Sequence, residues 1–179
     1  MSIKEDILVK SFETFYKNGF HDSGVSLLAE RAGTTKRTLY AHFDNKEGLI
    51  EAVLNYRHDM FMTQLIRHFE SLIISDSTDV TNAYVVFLKN WITSDNFYGC
   101  LFINACAEFS ESTSIPHDIA RQHKSAVRQF LLEQFLKIKT DNPKRLADTL
   151  FVFGEGLIVS AQTGQDDLEW DLGLINGIT

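Results

Sequence analysis

The chain has 179 residues, 44% of them hydrophobic and 23% charged, with a net charge of −7. This is an ordinary globular balance, with room for one large domain or a small one plus a medium one. Acidity of this size excludes a protein that coats nucleic acid over its whole surface, and no apolar run nears the roughly 18 residues of a membrane span.

Only two prolines occur, and none precedes Pro116. Apolar residues recur at helical spacing almost throughout. Ile3, Ile7, Leu8, Phe12 and Phe15 predict a first helix, capped by Ser2 and stopped at Asn18-Gly19. Val25, Leu28 and Ala29 predict a short second helix ending at Gly33. Thr34 or Thr35 caps a third, over roughly 36–43. Asn45 caps a long fourth helix whose wide apolar stripe runs from Leu49 past Phe69. "SDSTD" at 75–79 reads as a loop, and a fifth helix follows through Trp91. After the loop "SDNFYG" comes an apolar sixth helix, "CLFINACAEF". A seventh spans about 118–139, after "SESTSIPHD". Asp141 or Asn142 caps an eighth that has Pro143 at its first position, and "TGQDD" ends it. A last helix carries Leu168, Leu172 and Ile175. The expectation is an all-α fold of about nine helices, with residues 1–48 as one domain and 49–179 as another.

Charge is distributed unevenly. Residues 1–48 hold seven bases and seven acids, so the whole deficit lies in 49–179. Within 34–46, Lys36, Arg37 and Lys46 face a single acid, Asp44. An acidic body with a locally basic tip suits contact with a polyanion at one place.

That tip has the physical requirements of a helix-turn-helix. Ala29 is small where two helices would cross, Gly33 tolerates a sharp turn, and Leu39 buries the second helix against the first. These three alone fit any tight helical hairpin. The stretch "GFHDSGVSLLAERAGTTKRTLYAHFDNKEGLIEAVL" (Gly19 to Leu54) resembles the DNA-binding domain of the TetR family of transcriptional regulators. Gly19-Phe20, Val25, Leu28-Ala29, Ala32-Gly33, Leu39-Tyr40, His42-Phe43, Lys46 and Leu49 carry the likeness. Two positions depart from the pattern. Gly24 stands where the family usually opens the second helix with Ser or Thr, which leaves that work to Ser23 or Ser26. Arg37 stands where a small residue is frequent. Beyond residue 54 the resemblance weakens, although "GCLFINACAEF", "AVRQFL" and "LIVSAQ" are similar to a subgroup of these regulators. The resemblance implies an all-α homodimer that binds double-stranded operator DNA and a small-molecule inducer.

Lys36 and Arg37 sit at a helix N-terminus, against the dipole, which a groove-reading helix accepts more readily than a purely structural one. Arg37 can fork onto guanine O6 and N7, or meet phosphate or solvent. Tyr40 and His42 resemble the family's phosphate and base-edge contacts; the alternative is packing on the first helix. Lys46 can hold a phosphate together with the N–H groups of the fourth helix. Thr35 and Thr38 can bond phosphate or local backbone.

In the larger domain, Phe61, Leu65, Trp91, Phe97 and Phe102 are candidates to line a cavity for an apolar or amphipathic inducer, against ordinary core packing. Asn104, inside "LFINACA", needs a partner, either backbone or ligand. Small residues Gly154, Gly156, Ser160 and Ala161 let the eighth helix approach a neighbour closely. With the last helix it can form the homodimer seam, in which Leu157 is a candidate.

Cys100 and Cys106, if helical, lie about 9 Å apart, too far for an intrachain bond. With no signal-peptide pattern at the N-terminus, a reducing cytoplasm is the expected location. His117 and His123 are six apart, so no metal or other cofactor is expected. There is no HExxH, CxxC or phosphate loop, and "GEGLIV" lacks a third glycine, so no enzymatic activity is expected. The competing reading is a helical adaptor that has lost DNA binding.

Overall fold

A computed structural model describes residues 2–165, all helical apart from turns. Eight helices follow in order: α1 (Ile3–Asn18), α2 (Val25–Arg31), α3 (Lys36–Phe43), α4 (Lys46–Glu70), α5 (Ser77–Ile92), α6 (Leu101–Glu108), α7 (Ile115–Lys137) and α8 (Pro143–Gln162). The ninth helix expected through Leu168, Leu172 and Ile175 lies outside the described residues.

Local chemistry sets the boundaries. Ser2 and Glu5 form a reciprocal capping box at α1, satisfying two otherwise orphaned N–H groups. α5 begins at Ser77, inside the stretch read as a loop. Asp76 accepts from the Asp79 N–H at 3.0 Å, and Asp79 in turn accepts from Ser75. Polar residues that look like loop in sequence are here the cap. α7 starts at Ile115, earlier than expected, with Pro116 in its first turn, where a missing N–H costs nothing. At α8 neither Asp141 nor Asn142 supplies the expected cap: Asn142 sits at the N-cap position in the left-handed region with φ 72° and makes no capping bond.

The chain forms two compact units. One comprises residues up to Met60 with Leu101–Gln122; the other comprises Phe61–Cys100 and the chain from His123 onward. In the first, Ile7, Phe15, Phe20, Leu28, Leu39, Leu49, Val53 and Leu54 have no exposure. Each such side chain contributes roughly 1.5–3 kcal/mol by leaving water. Phe15 meets Phe20 at 5.1 Å, and Phe12 meets Tyr16 at 5.5 Å and Tyr56 at 5.8 Å between ring centres. In the second unit α5 packs on α8, around Tyr84, Leu88, Leu150 and Ile158. α7 is tied to α8 by Lys124–Glu155 at 2.7 Å and by the fork of Arg128 on Asp148. That fork, helped by Lys144, holds the Asp148 carboxyl down to about 2. Among the described residues no helix is long and apolar enough to cross a membrane.

Candidate nucleic-acid interface

α1, α2 and α3 pack against one another pairwise. The turn between α2 and α3 passes through Gly33 at φ 60°, a left-handed conformation that most residues adopt only under strain. Thr35 opens α3: its Oγ accepts from the Thr38 N–H at 3.1 Å and lies 3.0 Å from the Thr38 hydroxyl. The local bond expected of these threonines is thus made, and each hydroxyl oxygen keeps a further lone pair.

α3 is anchored by one face only. Leu39 has no exposure and Phe43 has 5%; four residues apart, they share a side of the helix. At about 100° per residue, Arg37 and Ala41 lie roughly opposite that side, with Tyr40 on one flank and Thr38 and His42 on the other; Lys36, in the first turn, lies at the edge of the anchored side. Lys36, Arg37, Tyr40, Ala41 and His42 are all exposed. Tyr40 is 37% exposed, so part of its ring is covered and part faces outward. The helix therefore turns a fork-shaped cation, a phenol and an imidazole outward on one rigid element, which suits reading an edge in a major groove.

The flanking positions divide. Ser26 is exposed on the first turn of α2 and is available to a phosphate. Ser23 is a correction: it has no exposure, and its hydroxyl donates to the Gly19 carbonyl at 2.6 Å. It closes the α1–α2 turn instead of meeting a ligand. Neither serine caps α2, whose N-cap Gly24 has no side-chain bond. Lys46 is half-buried at the start of α4 and donates to the His21 carbonyl at 3.5 Å. Asn45 caps that helix as expected, accepting from the Gly48 N–H at 2.8 Å.

Two features escaped sequence reasoning. The Lys4 ammonium stands 5.6 Å from the centre of the Phe43 ring, adding a cation beside the C-terminal end of α3. Glu108 accepts from the N–H groups of Phe20 and His21. Nothing in the local pattern of either residue signals these contacts.

The residues proposed for a ligand site fall into both units. Phe61, Leu65, Trp91 and Phe97 belong to the second, where Phe61 meets Trp91 at 5.5 Å and Trp91 meets Phe97 at 5.3 Å. Phe87 and His123 join them, at 5.3 and 5.1 Å from Phe61. Phe102, buried, and Asn104, half-buried, lie on α6 in the first unit. Leu157 is buried within its own protomer, so it is not the seam residue expected; Val152, Gly156 and Val159 are among the residues that α8 exposes.

Comparison with known proteins gives a consistent picture. Residues 7–53 match the family model described as bacterial regulatory proteins of the tetR family. Over 175 residues the chain is 30% identical to the HTH-type transcriptional repressor ComR of Escherichia coli K12, covering 90% of this chain and 80% of the relative. It is 23% identical over 159 residues to the HTH-type transcriptional regulator YjdC of the same organism, covering 87% and 81%. A TetR-family transcriptional regulator from Streptomyces coelicolor shares the fold, with a TM-score of 0.82 at 22% identity over 98% of this chain and 89% of the other. With the helix-turn-helix in place and a full-length relative at this identity, the chain belongs to the TetR family and is a DNA-binding transcriptional regulator.

Proposed function

We propose that the protein is a homodimeric repressor that leaves its operator when a small apolar or amphipathic inducer binds. The observation that carries the DNA side is the exposed surface of α3, where Arg37 stands opposite the buried Leu39 and Phe43 and Lys36, Tyr40 and His42 are exposed beside it. Ser26, Thr35, Thr38 and Lys46 supply backbone contacts around it, with residues 1–48 acting as the DNA-binding domain and 49–179 as the ligand-binding and dimerisation domain. Repression is supported by the likeness to ComR, a transcriptional repressor, and by simple physics: a dimer bound over a promoter blocks access to it.

The inducer site draws on Phe61, Leu65, Trp91 and Phe97, extended by Phe87 and His123, all within the second unit. An edge-to-face aromatic cluster favours a ligand with a flat or apolar body. Dimerisation uses α8 together with the chain beyond it. The exposed Val152, Gly156 and Val159 recur at spacings of four and three, a stripe suited to a second copy. The protein acts in the cytoplasm and has no catalytic role.

The test is an electrophoretic shift with DNA from the protein's own upstream region, followed by a footprint. An inverted repeat protected on one face of the duplex is the expected result. No shift with that DNA, and none with a randomised duplex library, would favour the helical adaptor.

A further inference from the structure

Glu108 ends α6, a position where a carboxylate opposes the helix dipole. Its surroundings explain why it is there. One carboxylate oxygen accepts from the Phe20 N–H at 2.9 Å, and the other accepts from the His21 N–H at 2.6 Å and lies 2.9 Å from His21 Nδ1. The next residue, Phe109, adds its ring, 5.6 Å from Phe20 and 5.0 Å from His21. Room for this grip comes from Gly19, at φ 82°, where an added Cβ would stand 3.0 Å from the carboxylate oxygen. Burial pushes the Glu108 carboxyl up, but the Phe20 and His21 N–H groups outweigh it and hold it below its usual value.

The same turn also meets Lys46, one of the proposed phosphate contacts. The His21 carbonyl accepts from Lys46 Nζ at 3.5 Å, and Ser23 closes the turn onto Gly19 at 2.6 Å. An ammonium has three donors, so the contact to His21 biases its direction and leaves two for a phosphate.

We infer that Glu108 is a positioning residue for operator binding, clamping the α1–α2 turn so that the His21 carbonyl holds Lys46 where a phosphate will sit. This rests on the DNA-binding reading above. It predicts that α6 governs affinity through the backbone-phosphate contact, while base preference stays with α3.

The experiment is a double-mutant cycle on operator affinity, using a duplex selected by the wild-type protein from a randomised library. Glu108→Ala should weaken binding about tenfold and lower the salt dependence by about one counterion, as Lys46→Ala does. Glu108→Gln, which keeps an acceptor, should lose about threefold. In the Glu108→Ala background, Lys46→Ala should cost much less than it does alone. A general loosening of the fold would lower affinity without changing the salt slope, and that result would overturn the inference. So would full multiplication of the two losses. Should Glu108→Ala fail to fold, the same cycle with Glu108→Gln decides, with non-multiplying losses expected. If Lys46→Ala alone is silent while Arg37→Ala is not, the positioning route fails and the DNA-binding reading stands. If both are silent, the DNA face itself has been assigned wrongly.

Discussion

Gly154 fixes how closely α8 approaches α5, and the consequence can be put in numbers. A methyl group built at Gly154 lies 2.6 Å from Tyr84 Cε1, 2.8 Å from Leu88 Cδ1 and 3.0 Å from the Tyr84 hydroxyl. Carbon atoms rest at about 3.5–4.0 Å, so the neighbours must retreat by roughly 1 Å. They have nowhere to go, because Tyr84 is 1% exposed and Leu88 not at all. Overpacking of this kind costs about 1–3 kcal/mol, and this site belongs at the upper end. Replacing glycine in a helix interior returns about 1 kcal/mol. Gly154→Ala should therefore destabilise by about 1–2 kcal/mol, or about 2–8 °C in Tm for a chain of this size. Urea denaturation at fixed protein concentration is the assay, since dimerisation makes apparent stability depend on concentration. In a Tyr84→Leu background the same methyl should cost at least 1 kcal/mol less, because the ring it strikes is gone. Gly154→Ala at wild-type stability, or an identical cost in both backgrounds, would refute the reasoning.

The remaining predictions concern function and pH. Arg37→Ala should relax preference at one position per half-site by roughly 1–3 kcal/mol, whereas Lys46→Ala should weaken all sequences about equally; binding profiles on a mutated operator series separate the two. Val152→Glu combined with Val159→Glu should give folded monomers with lost operator affinity, read by sedimentation and circular dichroism together. A dimer that survives both changes would move the seam off α8. Against the upward push of burial, the Phe20 and His21 N–H groups hold the Glu108 carboxyl below its ordinary value in the folded protein, so its contribution to stability is complete above the unfolded value. It is lost as pH falls through the folded one. Urea midpoints should drop across that interval in the wild type and less steeply in Glu108→Gln.

Legibility in the sequence followed the distance between interacting residues. Ala29, Gly33 and Leu39 lie within eleven positions, and their spacing alone states the turn and the buried face. The caps at Ser2, Thr35 and Asn45 were readable for the same reason. Ser23 was misjudged because position in the chain suggested a cap, while the backbone directs its hydroxyl back to Gly19. Asp76 was taken as loop because capping residues and loop residues are the same residues. Gly154 and Gly156 looked alike; only Gly154 meets another helix, and Gly156 has nothing within 4 Å. The Glu108 clamp spans 87 and 88 residues, beyond any periodic pattern. His123, weighed as a metal ligand, has its ring against Phe61, a contact that only folding assembles.

The way α3 is held has an evolutionary consequence. Two buried side chains and one hydroxyl cap do most to fasten it, while Lys36, Arg37, Tyr40, Ala41 and His42 are exposed. Substitutions at such surface positions usually change stability by no more than about 0.5 kcal/mol. Target choice can thus drift while the scaffold stays constant. A duplicated copy of this gene could acquire a new operator in a few steps, each passing through a folded intermediate, and the two copies would cease to compete for the same promoter before any core residue had changed.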